Sequence, residues 1–245
     1  MAVKYIYGVV SSEAEPPSVA GIGGASLELI RADGVAALAS DAPDGDLVMG
    51  REEMTTHARV LEAAHATSTV LPMRFGVVMD DEAHVVDDLL MARHQALLSQ
   101  LQQFAGKAEL KLRATYEEEP MLREVVSEDQ DVARLRDSLR GAPEEATYYG
   151  RIQLGELVAR AIERKREGDA DLIMQTLSPL ALATELTPPT HERIVINASF
   201  LVEQTAMPDF DAAVDRLGES QAGRMRFKYT GPLPPHSFVT FGDES

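Results

Sequence analysis

The first half of the chain shifts from a two-residue to a three-to-four-residue hydrophobic period and back. Lys4 to Val10 (KYIYGVV) is rich in β-branched and aromatic residues and predicts an opening strand. Glu13 to Ser18, carrying Pro16-Pro17, predicts a loop. Ser26 to Arg31 and Val35 to Ser40 are two apolar-alternating runs around Asp33-Gly34, a dipeptide suited to the positive φ angles of a tight hairpin turn. Arg51 to Thr69 then takes helical spacing, with Met54, Ala58, Leu61 and Ala64 or His65 on one face. A second helix, Asp81 to Ala105, sets Val86, Leu90, Leu97, Leu101 and Phe104 on a stripe and ends before Gly106, a residue suited to the left-handed position after a helix. Lys107 to Tyr116 (KAELKLRATY) returns to alternation.

The middle of the chain is helical. Met121 to Val126 and Asp131 to Leu139 predict two short helices. A long one begins near Glu144, with Tyr148, Ile152, Gly155, Val158 and Ile162 at three-to-four spacing. Asp171 to Thr187 predicts one more, bent or broken at Pro179. After Pro188-Pro189 the pattern repeats in miniature: a strand at Arg193 to Val202, a helix at Pro208 to Gly218 and a last strand at Arg224 to Thr230. Pro232, Pro234 and Pro235 predict that the sheet ends at Gly231 and that Leu233-Pro234-Pro235 runs as polyproline II. Leu233, Phe238, Val239 and Phe241 are anchors that a disordered tail would not need, so the terminus is expected to dock, on its own chain or on a partner.

This order predicts an α+β protein of two domains. Residues 1–116 form a ferredoxin-like N-terminal sheet with covering helices. Residues 117–230 form a helix-rich second α+β domain, and residues 231–245 an ordered Pro-rich tail. A length of 245 residues suits two compact domains.

Composition narrows the function classes. No apolar run approaches the roughly 20 residues that span a bilayer. The first residues lack the long apolar core and small-residue cleavage site of a secretory signal, so a cytoplasmic location is expected. The absence of cysteine removes disulfides, thiolate nucleophiles and thiolate metal sites. A formal charge of −17 argues against nucleic acid or an anionic membrane as partner. The charge is uneven: Asp41 to Asp46 and Glu117 to Asp131 are acidic, whereas Arg160 to Arg166 and Arg224 to Lys228 are basic. Such runs are usually solvated faces; the sharper reading is a basic strip that meets an acidic partner.

Candidate chemistry is sparse. Glu62-Ala63-Ala64-His65 has the Glu-x-x-His spacing of di-iron bundles, but the second copy such sites need is missing. His84 with Asp87 and Asp88 lies in an exposed helical pattern, and His57 and His65, eight residues apart on roughly one helix face, read as packed or half-exposed side chains and not as ligands. Gly21-Ile22-Gly23-Gly24 is followed by a strand pattern instead of the helix a phosphate-binding loop opens. There is no Gly-x-Ser-x-Gly, and adjacent carboxylates such as Glu52-Glu53 or Glu117-Glu118-Glu119 point to different sides. No active site, cofactor or metal is expected. Val70-Leu71-Pro72-Met73-Arg74-Phe75-Gly76-Val77-Val78 is unusually apolar for a connection between helices and predicts a buried segment. Arg74 there would either pin an ordered turn through a carboxylate or carbonyls, or touch a partner.

With these stretches in hand, the chain resembles the gas vesicle protein F and L family. The resemblance rests on Tyr5-Ile6-Tyr7-Gly8-Val9-Val10, on Leu71-Pro72-Met73-Arg74-Phe75-Gly76, and on Tyr229-Thr230-Gly231-Pro232 with Pro234-Pro235 and Ser237-Phe238. It spans essentially the whole chain, with the F member favoured. Family members often carry an aromatic where Leu233 stands and a tyrosine where His236 stands. The resemblance implies a non-catalytic, chaperone-like accessory protein of gas vesicle assembly. Its partners would be the hydrophobic shell subunit and other accessory proteins. Arg74, Phe75, Tyr229, Pro232, Leu233, Pro234, Pro235 and Phe238 are the candidate contact or structural residues. A ligand-binding regulatory module on a ferredoxin-like scaffold is the alternative.

Overall fold

The computed structural model describes residues 2–43, 50–141 and 143–241. Asp44 and Asp46 of the first acidic run lie outside the described residues. The chain forms two compact units, Met1–Leu110 with Gly231–Ser245, and Lys111–Thr230.

In the first unit, β1 (Lys4–Ser11) is central, with β3 (Val35–Asp41) on one side and β4 (Val70–Pro72) on the other. β2 (Glu28–Ala32) pairs with the outer edge of β3, and the two-residue β5 (Val78–Met79) extends the β4 side of β1. These pairings are antiparallel. The hairpin closes through Asp33 and Gly34, both at positive φ (29° and 85°), with Ala32 opposite Val35, as the dipeptide predicts. A register shift between Ile6 and Gly8 lets Tyr5, Tyr7 and Val10 enter the same buried cluster.

That cluster is completed by α1 (Arg51–His65), which carries Glu52 and Glu53 in its first turn where the helix dipole favours acids. Its buried face is His57, Val60, Leu61, Ala64 and His65, whereas Met54 is 54% exposed and Ala58 lies outside. The predicted stripe was correct from Leu61 onward and misplaced before it, because His57 takes a core position. The predicted second helix is segmented into α2 (Glu82–His84), a π-helical turn at Val85–Met91 and α3 (His94–Phe104). Leu97, Leu101 and Phe104 are buried as expected, and Gly106 has φ 68°.

The second sheet has the order β7-β8-β6-β9, with β6 at Lys107–Tyr116, β7 at Ala183–Leu186, β8 at Ile194–Glu203 and β9 at Met225–Leu233. Between β6 and β7 run α4 (Glu118–Glu128), α5 (Gln130–Leu139) and α6 (Glu144–Leu177). Between β8 and β9 runs α7 (Met207–Ser220). This is the β-α-β-β-α-β connectivity of a ferredoxin-like fold. The first sheet has the same strand order, β2-β3-β1-β4, but its first crossover holds only a loop and a 3-10 turn at Ile22–Gly24.

Two local expectations are corrected. The helix predicted at Asp171 to Thr187 does not exist as one element. Its first part belongs to the 34-residue α6, which ends two residues before Pro179, and its last part is β7, held by antiparallel pairing to β8. The final strand does not stop at Gly231. It runs to Leu233 because β9 is an edge strand, where Pro232 need not donate to a ladder. Beyond Leu233 the chain turns instead of extending as polyproline II: Pro234 accepts from His236 N–H at 2.8 Å, and Pro235 from Phe238 and Val239 N–H at 3.1 Å.

Candidate functional site

In the first unit, two of the motif stretches form one joint. Gly76 N–H donates to the Tyr5 hydroxyl (3.0 Å), the hydroxyl meets His57 Nδ1 (2.9 Å), and His57 Nε2 meets the Met73 carbonyl (3.2 Å). One tautomer satisfies all three: Nε2–H donates to Met73, and Nδ1 accepts from Tyr5. The His57 ring stacks on Tyr7 at 5.5 Å and meets Phe75 edge-on at 5.7 Å. Tyr7 in turn contacts the Ser40 hydroxyl at 3.1 Å and accepts from Ile22 N–H at 2.8 Å. The Gly21 to Gly24 stretch is therefore an anchored turn, with Ile22 buried. Burial pushes His57 down to about 4, outweighing the Met73 carbonyl, and nearby His236 lowers it further. Burial likewise raises the Tyr5 hydroxyl to about 12. Gly8 has no room for a side chain: a Cβ there would lie 2.7 Å from the Leu71 carbonyl oxygen.

The tail docks on this same unit. Ser237 donates its backbone N–H (2.8 Å) and its hydroxyl (2.7 Å) to Glu109, which is fully buried. Thr240 and Gln100 exchange two further bonds, at 2.7 and 2.9 Å. Gly231 lies so close to β6 that a Cβ would fall 2.6 Å from Leu110 Cδ2 and 3.0 Å from the Glu109 carbonyl. Pro234 and Pro235 are buried, Leu233 and Phe238 half-buried, and Pro232 exposed. Glu109 was missed in the sequence because the alternation of Lys107 to Tyr116 assigns it to the same side as Lys111.

Of the remaining motif residues, Phe75 is half-buried on the aromatic cluster and Arg74 is exposed. The expected buried environment of Arg74 is thus corrected: Val70, Leu71 and Pro72 carry the burial, and the chain then turns outward at Phe75-Gly76, where Gly76 has φ 93°. Tyr229, in the second unit, donates to Asp211 at 2.6 Å and stacks on Phe210 at 6.2 Å. Burial, reinforced by Asp211, raises its hydroxyl well above the usual phenol range.

The second unit pairs its acidic and basic runs with each other. Arg224 Nε reaches both oxygens of Glu124 at 2.8 Å, its Nη2 reaches Asp169 at 2.5 Å, and its guanidinium lies 5.8 Å from the Tyr116 ring centroid. Lys165 bridges Glu124 (2.8 Å) and Glu128 (2.9 Å), Arg164 holds Asp129 (2.8 Å), and Arg226 holds Glu117 (2.9 Å). Tyr116 donates to Asp169. Burial alone would raise Glu124, but hydrogen bonds from Lys165 and Arg224 hold it below the usual carboxylate range. The basic strip therefore meets the chain's own acids.

None of these clusters has the form of a catalytic constellation. Among the described residues there is no group of three His, Asp or Glu side chains placed to hold a metal ion. His65 of the Glu-x-x-His pattern is buried with neither ring nitrogen hydrogen-bonded, and exposed His84 pairs with Asp81 at 2.8 Å. No described helix is long and apolar enough to cross a membrane.

The second unit also leaves some apolar side chains uncovered. Tyr148, Tyr149 and Ile152 on α6 are 61%, 83% and 47% exposed, and the two tyrosine rings meet edge-on at 5.4 Å. One helical turn further along, α4 and α6 flank a groove of about 410 Å³ with Met121, Leu122, Gly155, Val158 and Ala159 on its floor and Glu118, Glu192 and Arg193 at its rim.

Two linked α+β units, with aromatic and ionic clusters and an exposed apolar helix face, define the fold class. Comparison with known proteins makes the class specific. The family description "Gas vesicle synthesis protein GvpL/GvpF" matches residues 3–240, and the chain belongs to that family. It is 35% identical over 240 residues to gas vesicle protein F of Streptomyces sp. (strain CB03234), covering 96% of this chain and 98% of that one. It is 26% identical to gas vesicle protein F of Dolichospermum flosaquae, covering 82% of each. The crystal structure of GvpF from Anabaena sp. PCC7120 superposes with a TM-score of 0.85 at 25% identity, covering 100% of both chains. That of Microcystis aeruginosa GvpF shares the fold, with a TM-score of 0.80 at 20% identity, covering 97% of this chain and 99% of that one.

Proposed function

We propose that the chain is a non-catalytic accessory protein of gas vesicle assembly, acting in the cytoplasm and at the growing vesicle. Its partners would be the hydrophobic shell subunit, other accessory proteins, or both. The observation that carries the reading is the uncovered apolar face of α6, Tyr148, Tyr149 and Ile152, on a chain whose family is that of gas vesicle synthesis. A shell subunit with an apolar face would aggregate in water. A partner that covers that face transiently and carries −17 charge would keep the complexes apart. The groove beside the exposed residues favours recognition of a helix, since Gly155 and Ala159 lie four apart on its floor and allow close approach. Among the sequence-selected residues, the exposed Arg74 and Pro232 are candidate contacts. Phe75, Tyr229, Leu233, Pro234, Pro235 and Phe238 are assigned structural roles, in keeping with their burial.

The test is co-expression with the shell subunit followed by affinity capture. The full chain is compared with a Tyr148→Ser/Tyr149→Ser/Ile152→Ser variant and with Ser237→Ala. Loss of capture in the first and retention in the second supports the reading. Capture by all three moves the interface off α6. Capture by none, in the presence of the other accessory proteins, overturns the shell-binding role.

A further inference from the structure

The outer edge of β2 is an open docking groove, and we infer that it takes an extended, basic segment of a partner protein as an added strand. The inference is independent of the gas vesicle reading. The register of the β2–β3 hairpin sets which backbone groups are free. Because the turn has two residues and Ala32 faces Val35, the residues that exchange both ladder bonds with β3 are Ala32, Ile30 and Glu28. The N–H and C=O groups of Leu29 and Arg31 therefore point away from the sheet. The Leu29 carbonyl receives a long contact from Arg31 Nη1 at 3.5 Å. The other three groups have no bond to loop or helix backbone among the described residues. Strand edges of this kind are normally blunted by proline, lysine or covering chain. β2 has no proline or lysine, and its arginine is turned back, with Nε on the Ser12 carbonyl at 3.0 Å.

Beside this edge lies a groove of about 450 Å³, with Glu28, Leu29 and Arg31 along one side and Glu82, Val86 and Asp87 along the other. An edge strand flanked by a helix suits an extended peptide: backbone bonds supply affinity, and every second side chain meets the helix. The groove is net negative, with three lining carboxylates, Glu28, Glu82 and Asp87, against Arg31, whose guanidinium is engaged by the Ser12 carbonyl. Glu28, Asp41 and Glu82 share one ammonium, that of Lys4, at 2.6, 2.9 and 3.5 Å. Exposed Asp87 adds another negative charge with no ion pair among the described residues. A cation on the incoming strand completes this arrangement, and Val86 offers an apolar contact beside it.

The probe is a blocked heptapeptide of alternating Lys and Val, titrated by fluorescence anisotropy into the full-length protein, with amide hydrogen exchange read at Leu29 and Arg31. Binding at up to about 1 mM peptide, weakening with salt, is expected together with slowed exchange at both amides. N-methylation of every second residue is then tested in both phases. One phase removes the donors that face β2 and is expected to weaken binding about tenfold or more, while the other leaves binding intact. Asp87→Lys is expected to weaken the parent peptide about fivefold or more. The proposal is overturned by absence of binding, by equal binding of the two N-methyl phases, or by equal binding of a Glu/Val peptide.

Discussion

Glu109 accepts both donors of Ser237, the backbone N–H at 2.8 Å and the hydroxyl at 2.7 Å, and is itself fully buried. A carboxylate so placed fixes the tail to its own chain, 128 residues away in sequence. Glu109→Ala leaves the Ser237 N–H without its acceptor and is expected to cost about 2 kcal/mol of stability, whereas Ser237→Ala keeps the backbone bond and costs about 1. Urea unfolding measures both. Limited proteolysis between 234 and 241 is expected to accelerate in Glu109→Ala; an unchanged cleavage rate would show that the Thr240–Gln100 pair alone secures the tail.

Arg224 is the hub of the second unit. Its fork meets Glu124, Asp169 and Gln221 at once, an arrangement that a lysine ammonium cannot reproduce. Arg224→Lys is expected to lose about 2 kcal/mol at neutral pH, and Arg224→Met somewhat more, because the partly buried Glu124 and Asp169 then keep only Lys165 and the Tyr116 hydroxyl to offset their charge. Glu124 sits below its ordinary value in the folded protein, so its contribution is present above the unfolded carboxylate range and fades as pH falls. The deficit of Arg224→Lys relative to the parent should shrink in unfolding curves taken toward pH 3. A deficit independent of pH would mean that Arg224 acts through packing on Tyr116.

Much of the fold was legible because its signals are local. Asp33-Gly34 specifies its turn, Gly106 its helix end, and the alternation of Lys107 to Tyr116 its strand, each without help from distant residues. The failures are the places where a distant partner decides. Ala183–Leu186 has no strand pattern and becomes β7 by pairing with β8. Met225–Leu233 outruns its prolines because it lies at a sheet edge. The candidate residues divide in the same way. Phe75 and Tyr229 were recognised as motif members, but His57 and Glu109, which tie the motifs to the unit, carry no sequence signal beyond their types. The basic runs looked available to a partner because sequence spacing does not reveal that Arg224 lies against Glu124, 100 residues earlier.

The exposed apolar residues of α6 should be dispensable for folding. Tyr148, Tyr149 and Ile152 are 61%, 83% and 47% exposed, so their replacement by serine removes little buried area. The expected change in the urea midpoint corresponds to within about 0.5 kcal/mol of the parent for each single substitution. Self-association, followed by light scattering at raised salt where the repulsion of net charge is screened, should fall in the triple variant. A large loss of stability instead would mean that these side chains are covered in the folded protein in solution.

The aromatic joint makes the first unit sensitive to acid. His57 is 5% exposed, lies against Tyr5, Tyr7 and Phe75, and has its proton affinity lowered by burial to about 4, against about 6.5 for an unfolded histidine. Between these values the unfolded chain binds the proton and the folded chain does not, so stability rises with pH through this window and is lost as pH falls toward 4. His65, buried and also lowered, adds to the slope in the same direction. The loss attributable to His57 is roughly 2 to 3 kcal/mol. His57→Gln retains a group that bonds both Tyr5 and the Met73 carbonyl but does not titrate. It should therefore show a shallower dependence of the urea midpoint on pH between 4 and 6.5, at some cost in stability at neutral pH. Equal slopes for parent and variant would assign the acid sensitivity of this unit to His65.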